Sequence, residues 1–243
     1  MSSLFGMDAS QYDQIVQESD RLNQFPFAGY DEVLTQIADM IRSAKHLSVA
    51  EILDLGIGTG QLYQKLSPDK YSLFGIDNSE EMLEIAKLKL PGARLMAHDF
   101  LKGMPEGLKK RKFDFIVATY AFHHVNISDF VKLIDYYLGY LSPFGKLLIG
   151  DILFTDASSR EQVHEESLEF WDDSEYYHAF SELIELLDGR LALSFLKISF
   201  CAGIIVIENY HETTLHFEET LVQYKSNTVK WKSNQTGKKA SGR

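Results

Sequence analysis

Short apolar runs alternate with amphipathic stretches along most of the chain after residue 50. Five largely apolar runs predict strands at residues 52–55, 71–76, 93–97, 113–118 and 146–149. Between them, apolar positions recur at intervals of three and four residues, which indicates amphipathic helices. This alternation predicts βαβ units and a mostly parallel sheet that carries helices on both faces.

The two ends of the chain depart from this alternation. Residues 1–45 predict an N-terminal helical segment, because Tyr30 to Ile41 carries apolar residues at helical spacing. Residues 154–188 predict a helical insertion in a domain of residues 46–220, and two apolar runs between residues 191 and 209 predict a closing hairpin. The pattern as a whole predicts an α/β fold with a doubly wound, mostly parallel seven-stranded sheet and a C-terminal antiparallel hairpin.

The chain is acidic, with 35 Asp and Glu against 24 Lys and Arg and a formal net charge of -11. Residues 221–243 hold six basic residues and no acidic one, which predicts a basic, disordered tail. The acidic excess therefore lies in residues 1–220. A surface of that charge repels phosphate backbones, so nucleic acid is not expected as a partner.

The apolar segments and the single cysteine bear on location. No apolar run approaches the roughly 20 residues that span a bilayer, so no membrane association is expected. The first residues lack the basic and apolar regions of a signal peptide. Cys201 is the single cysteine and cannot form an internal disulfide, which suits a reducing compartment. It lies in an apolar run, so a buried structural thiol is expected. These features predict a cytoplasmic protein.

The segment from Ile52 to Gly60 is the most informative in the chain. Its glycines, Gly56, Gly58 and Gly60, fall at the turn from the first strand into the next element, where glycine permits positive φ and close approach of a ligand. Asp77 ends the second strand, at the position where an acid hydrogen-bonds a ribose diol. A tight turn and a helix-capping carboxylate are the alternative interpretations.

A dinucleotide site is the competing interpretation of these glycines. Its G-x-G-x-x-G pattern needs a small third residue for close packing of the helix against the strand. Gln61 stands at that position, and the chain shows G-x-G-x-G instead. A nicotinamide-dependent oxidoreductase is therefore the less favoured alternative.

The glycine turn resembles motif I of class I methyltransferases that use S-adenosylmethionine (SAM). The segments 119–125 (TYAFHHV) and 28–31 (AGYD) are similar to a group of small uncharacterised bacterial methyltransferases. The resemblance covers about residues 51–151 and implies a Rossmann-like methyltransferase fold. Phe144 departs from the family pattern, because it replaces the first glycine of the Leu-x-Pro-Gly-Gly entry into strand five.

The resemblance also implies a set of cofactor-binding residues. Tyr12 matches a lid helix that closes over SAM, so residues 1–45 are expected to form an N-terminal lid. Asp77 is expected at the ribose and Asp99 at the adenine amino group, with the adenine between Met82 and Phe100. The implied cofactor-binding set is Tyr12, Asp54, Gly56, Gly58, Gly60, Asp77, Asn78, Met82, Asp99, Phe100 and Thr119.

Methyl transfer is an in-line displacement on an already activated carbon, so the protein must mainly position the acceptor and exclude water. Tyr120, His123 and His124 follow strand four and are the candidate catalytic residues. Either histidine could be a base, since histidine titrates near neutrality, or could simply pack a loop. The aromatic residues between Glu169 and Phe180 could cap the acceptor, although a place in the core is favoured.

A metal site is not expected from the sequence. His123 and His124 are adjacent, and adjacent side chains of an extended segment point apart. The run His164-Glu165-Glu166 lacks the H-E-x-x-H spacing of a zinc protease. The sequence therefore predicts no metal.

The function predicted from these observations is SAM-dependent methyl transfer to a small-molecule acceptor. Strand four is followed neither by the Asn/Asp-Pro-Pro-Tyr element of DNA amino methylation nor by a catalytic cysteine. A non-catalytic module that binds SAM or S-adenosylhomocysteine (SAH) is the alternative. The oligomeric state is expected to be monomer or homodimer.

Overall fold

The structure, a computed structural model, describes residues 9–44, 46–187, 191–208 and 228–229. Strands and helices alternate through its central part. The helices are α1 (Ala9–Arg21), α2 (Tyr30–Ser43), α3 (Glu80–Lys89), α4 (Ile127–Leu138), α5 (Ala157–Glu166) and α6 (Phe180–Leu187). The strands are β1 (Ala50–Leu55), β2 (Tyr71–Asp77), β3 (Arg94–Ala97), β4 (Phe113–Thr119), β5 (Leu141–Phe154), β6 (His178–Ala179), β7 (Ala192–Lys197), β8 (Ala202–Glu208) and β9 (Thr228–Val229).

The strands form one sheet in the order β3-β2-β1-β4-β5-β8-β7-β9. Strands β1 to β5 run parallel, whereas β8 is antiparallel to β5 and pairs with β7 as a hairpin. The doubly wound, mostly parallel sheet and its C-terminal hairpin are thus confirmed. The two-residue strands β6 and β9 join this seven-stranded sheet through β5 and β7. The strand order reverses between β1 and β4, which opens a crevice at their carboxyl ends.

The two faces of the sheet carry separate hydrophobic cores, because successive side chains of a strand point to opposite sides. On β4, Phe115 and Val117 pack with α1 and α2, whereas Ile116 and Ala118 pack with α4 and α6. Each strand of the centre is therefore covered on both sides, which explains its nearly continuous apolar sequence.

The connection from β1 to β2 lacks the α-helix that the pattern predicts after the glycine turn. Residues Gln61–Lys65 form only a short 3₁₀ helix, since Pro68 follows closely and disfavours helical geometry in the residue before it. Helix α2 covers this face instead. Gly150 of β5 permits its approach, because a Cβ there would lie 2.5 Å from Val33 and 2.8 Å from Ile37.

Asp20, in the last turn of α1, supplies the N-terminal cap of α2. The N-cap residue of α2 is Gly29, which has no side chain to accept the first amide groups. Asp20 Oδ1 accepts the amides of Gly29 at 2.7 Å and Tyr30 at 3.1 Å, and Oδ2 accepts that of Asp31 at 3.0 Å. This carboxylate ties the two N-terminal helices together.

Two further expectations concern the basic tail and the membrane. The predicted basic tail, residues 221–243, lies outside the described residues except for the backbone of β9. Among the residues that are described, no helix combines the length and the apolar character needed to cross a membrane.

Replacement of Asp20 by alanine should lower the free energy of unfolding by about 1–2 kcal/mol, because three amides at the start of α2 lose their acceptor. Urea denaturation monitored by circular dichroism measures this change. Glu18→Ala is the matched control, since Glu18 lies on the same helix and its carboxylate pairs with the exposed Arg21. Equal loss in both variants would contradict the capping role.

Candidate cofactor and acceptor site

A cavity of about 300 Å³ lies at the carboxyl ends of β1, β2 and β4. It brings together residues from the glycine turn, the ends of three strands and helix α1, as expected at the point where the strand order reverses. All three candidate catalytic residues line it. Nine of the eleven residues that the resemblance implies for the cofactor also line it: Tyr12, Gly56, Gly58, Asp77, Asn78, Met82, Asp99, Phe100 and Thr119.

The three glycines of the turn have different tasks. All have positive φ, at 75° for Gly56, 54° for Gly58 and 76° for Gly60. A Cβ at Gly58 would meet no atom within 4 Å, so its backbone faces open space in the cavity. A Cβ at Gly60 would lie 2.5 Å from Leu90, so Gly60 allows the turn to pack on the end of α3 and does not line the cavity.

Asp77 joins the glycine turn to the start of α3. Its Oδ2 accepts the amide of Gly58 at 2.7 Å, and its Oδ1 accepts that of Ser79 at 2.8 Å. Ser79 itself caps α3 by accepting the amide of Met82 at 3.2 Å, so Asp77 is not the cap of that helix. Burial raises the pKa of Asp77 above its ordinary value, although its backbone hydrogen bonds oppose the shift.

An apolar slot lies beside Asp77, between α3 and the loop after β3. Met82, Phe100 and Leu101 line it. Asp99 accepts the amide of Leu101 at 2.9 Å and so holds the short 3₁₀ helix that carries Phe100. The Phe100 ring is stacked on Phe122, with ring centroids 5.6 Å apart, which fixes the wall of the slot.

Asp54 lies beneath the glycine turn and is only 1 % exposed, so it does not line the cavity. Burial raises the pKa of its carboxyl group to about 7, and the nearby Tyr63 hydroxyl lowers it only in part. Asp54 Oδ1 and the Tyr63 hydroxyl each lack a well-formed hydrogen bond within the described part of the chain. The carboxyl group is thus a buried polar group whose neutral form is favoured at pH values below about 7.

An aromatic wall formed by Tyr12, Phe27, Tyr30 and Tyr120 bounds the cavity on the side of α1 and α2. The ring centroids of Tyr30 and Tyr120 are 4.7 Å apart, and Phe27 contacts both rings. The Tyr120 hydroxyl is buried and has no hydrogen-bond partner among the described residues. Phe27 and Tyr30 were not predicted as site residues, although Tyr30 lies in the segment that carries the resemblance.

His123 is held by a buried carboxylate of β5. Its Nδ1 lies 2.6 Å from Asp151 Oδ1, and Asp151 Oδ2 accepts the amides of Ala121 and Phe122. Burial by itself lowers the pKa of His123, but the charge and hydrogen bond of Asp151 outweigh it, so the pKa is raised. The same pairing outweighs burial at Asp151 and lowers its pKa.

His124 and His123 lie side by side, so the expectation that their side chains point apart was wrong. Residues Phe122–His124 form a 3₁₀ helix and not an extended segment, and the two ring centroids are 3.9 Å apart. Burial, and next the neighbouring His123, lowers the pKa of His124 to about 3. His124 is therefore neutral near pH 7.

The segment between α5 and α6 contributes a buried acid, Glu175, that sequence reasoning missed. Its Oε1 lies 4.0 Å from both His123 Nε2 and His124 Nδ1. Burial raises its pKa above the ordinary value. Several acids surround this position in the sequence, so spacing did not mark it. Among the aromatic residues of the same segment, Trp171 and Tyr177 pack on Phe25 in the core.

The sequence belongs with known methyltransferases. Residues 52–145 match the model of a methyltransferase domain family. The uncharacterised methyltransferase YrrT of Halobacillus halophilus is 30% identical over 210 residues, covering 83% of this chain and 94% of that protein. An uncharacterised methyltransferase of Geobacillus kaustophilus is 33% identical over 222 residues, covering 87% and 97%. The chain belongs to this family of methyltransferases.

Solved structures share the fold at low sequence identity. Magnesium protoporphyrin IX methyltransferase (ChlM) from Synechocystis PCC 6803 with bound SAM is 16% identical with a TM-score of 0.61, over 86% of this chain and 92% of that one. The plantazolicin methyltransferase BpumL in complex with SAH is 20% identical with a TM-score of 0.59, over 84% and 95%. These likenesses confirm the Rossmann-like methyltransferase fold.

Replacement of Asp54 by asparagine should stabilise the protein more at pH 8 than at pH 4. The pKa of about 7 in the folded state lies above the ordinary 3.8, so the folded wild type loses stability as pH rises from 4 to 7, whereas the amide does not titrate. The free energy of unfolding of the variant relative to the wild type should rise by about 2–4 kcal/mol between pH 4 and pH 7. Urea unfolding of both proteins at a series of pH values measures it, and a gain independent of pH would contradict the shift.

Proposed function

We propose that the protein transfers a methyl group from SAM to a small-molecule acceptor in this cavity. The observation that carries the proposal is the set of groups at the carboxyl ends of β1 to β4. The open backbone of Gly58, the carboxylate of Asp77 and the apolar slot beside Asp99 lie in one cavity. They suit, in turn, the amino-acid part, the ribose diol and the adenine of SAM.

The turn after β1 also fits SAM better than a dinucleotide. A diphosphate requires the start of a helix packed closely on the strand, with its amides free for the phosphate oxygens. Gln61 begins a 3₁₀ helix here, and Asp77 already accepts the amide of Gly58. The amide of Gly58 is therefore not free for a phosphate oxygen, whereas the Asp77 carboxylate can accept hydrogen bonds from ribose hydroxyls.

Helix α1 is proposed to act as a lid over the cofactor. Tyr12 lines the cavity, and the next residue, Asp13, connects the helix to the glycine turn and to α3. Asp13 accepts a hydrogen bond from the Thr59 hydroxyl at 2.6 Å and pairs with Lys89 of α3 at 2.6 Å. A helix held this way excludes water from the reacting atoms, which methyl transfer requires.

The acceptor is proposed to lie between the aromatic wall and the two histidines. SAM, when bound, supplies a methyl group on a sulfonium, so the chain's own residues need only align the nucleophile and remove any proton. Tyr120 lines the cavity and its buried hydroxyl has no hydrogen-bond partner among the described residues, which supports a role in orienting the acceptor. His123, fixed by Asp151, can hold the proton that the acceptor loses.

The class of acceptor is narrowed by charge and by the likeness to solved structures. ChlM is named for magnesium protoporphyrin IX, and BpumL was solved with analogues of desmethylplantazolicin. The acidic chain and the aromatic wall of the cavity support an uncharged or cationic organic molecule with an apolar part.

Incubation with methyl-labelled SAM and a fractionated cell extract tests the proposed function directly. Label should enter a small-molecule fraction, where mass spectrometry identifies the acceptor. SAM binding by calorimetry without transfer to any fraction would favour a non-catalytic SAM or SAH binder. Thermal stabilisation by NAD but not by SAM would overturn the cofactor assignment, since a ligand stabilises the state that binds it.

Replacement of Asp77 by alanine should weaken SAM binding at least tenfold, because charge-assisted hydrogen bonds to the ribose are lost. Isothermal titration calorimetry measures the affinity. Asp77→Asn distinguishes charge from shape, and Asp69→Ala is the matched control, since Asp69 lies at the opposite end of β2 and is exposed. Unchanged affinity of the Asp77 variants would count against the site.

The variant His123→Asn should bind SAM with near-normal affinity but transfer the methyl group about 100-fold more slowly, because proton transfer by a positioned side chain contributes about this much. Asparagine retains an N–H group for Asp151, which limits damage to the fold. The measurement compares kcat on the identified acceptor with SAM affinity. His123→Asn and His124→Ala both turning over at the wild-type rate would refute the catalytic assignment.

A further inference from the structure

We infer that His123, His124 and Glu175 form a binding site for a divalent transition metal, best suited to Zn²⁺. One ligand atom from each residue, two imidazole nitrogens and a carboxylate oxygen, lies within 4.8 Å of the other two. Glu175 Oε1 is 4.0 Å from each histidine nitrogen. No other group of three such side chains meets this criterion in the part of the chain that the structure describes.

His123 and Glu175 are oriented by further hydrogen bonds, as metal ligands usually are. Asp151 binds Nδ1 of His123, which directs Nε2 of the same ring toward Glu175. The Tyr177 hydroxyl donates to Glu175 Oε2 at 2.8 Å, which leaves Oε1 on the side of the histidines. Asp151 and Tyr177 therefore hold His123 and Glu175 in the orientation that a carboxylate–histidine–metal site requires.

The donor set selects the metal by its chemistry. Two imidazoles and one carboxylate suit zinc, whose catalytic sites have three protein ligands and an open fourth position. Tetrahedral Zn²⁺ at about 2.0–2.1 Å from each ligand brings them about 3.3 Å apart, so the side chains must close by roughly 1 Å. His123 and Glu175 are almost completely buried and His124 is half-buried, so His124 lies on the side open to the cavity.

The position of the cluster gives the metal a use. His123 and His124 line the cavity next to Tyr120, where the acceptor is proposed to bind. A Zn²⁺ with one open position coordinates a hydroxyl or thiol and lowers its pKa, so that it loses a proton to solvent and becomes a stronger nucleophile. With the ion bound, Nε2 of His123 is a ligand, so His123 takes the proton of the acceptor only in the metal-free protein. Only this use rests on the proposed function; the binding of the metal does not.

A Co²⁺ titration tests the site without SAM or acceptor. It uses the full chain without an affinity tag, after a chelator has removed bound metal. We expect one equivalent of Co²⁺ to give the visible absorption of a four-coordinate ion, and Zn²⁺ to displace it. Cys201 is buried, so it contributes little background. Wild-type protein that shows no such absorption, or no saturation near one equivalent, would overturn the inference.

Variants show whether the named residues bind the ion. Glu175→Gln and His124→Ala should each weaken Co²⁺ binding at least tenfold, and Asp151→Asn should weaken it about 10- to 100-fold through the orientation of His123. His46→Ala is the control, because His46 is an exposed histidine distant in sequence from the cluster. Equal affinity in Glu175→Gln and the control would refute the site.

Two measurements distinguish failure of this inference from failure of the proposed function. Circular dichroism of each variant shows whether it folds, and Zn²⁺ should raise the melting temperature of the wild type but not of Glu175→Gln. Calorimetry with SAM on the chelator-treated protein reports on the cofactor site alone. SAM binding without metal binding rejects the metal site only, whereas metal binding without SAM binding rejects the proposed function.

Discussion

The acceptor side of the site depends on the hydrogen bonds of the buried Asp151 carboxylate with the loop after β4. A carboxylate that is 1 % exposed is costly unless every oxygen is paired. Here Oδ2 accepts hydrogen bonds from the amides of Ala121 and Phe122. Oδ1 is hydrogen-bonded to Nδ1 of His123 and accepts the amide of Ile152. The loop after β4 is therefore tied to β5, which places both histidines and Tyr120 at the cavity.

The N-terminal helices complete the site from the other side. Gly150 on β5 lets Val33 and Ile37 of α2 approach the sheet, and this close packing brings Phe27 and Tyr30 against Tyr120. Helix α1 then crosses the glycine turn, where Asp13 holds it. Residues at the start of the chain thus form one wall of a cavity whose floor is formed by the sheet, as α/β folds commonly arrange their ligands.

The residues of the proposed cofactor site could largely be predicted from the sequence, whereas on the acceptor side the sequence indicated Tyr120, His123 and His124 but not the residues that surround them. Gly58 and Asp77 are local features, since positive φ and the end of a strand are read from a few neighbouring residues. Asp54 and Gly60 belong to the same motif, but Asp54 is buried beneath the turn and Gly60 packs on the end of α3, so neither lines the cavity. A motif identifies such residues, but only burial separates those that contact a ligand from those that support the turn.

The sequence by itself determined the parallel sheet, its closing hairpin and the place of the proposed cofactor site, because strand periodicity and glycine geometry act over short distances. Only the tertiary structure decided that Glu175 meets His123 and His124. The sequence interpretation assumed an extended segment, whereas Asp151 accepts backbone amides after β4 and residues Phe122–His124 form a 3₁₀ helix, in which the two rings lie side by side. Contacts between residues more than 50 positions apart depend on packing, which no local pattern of one sequence reports.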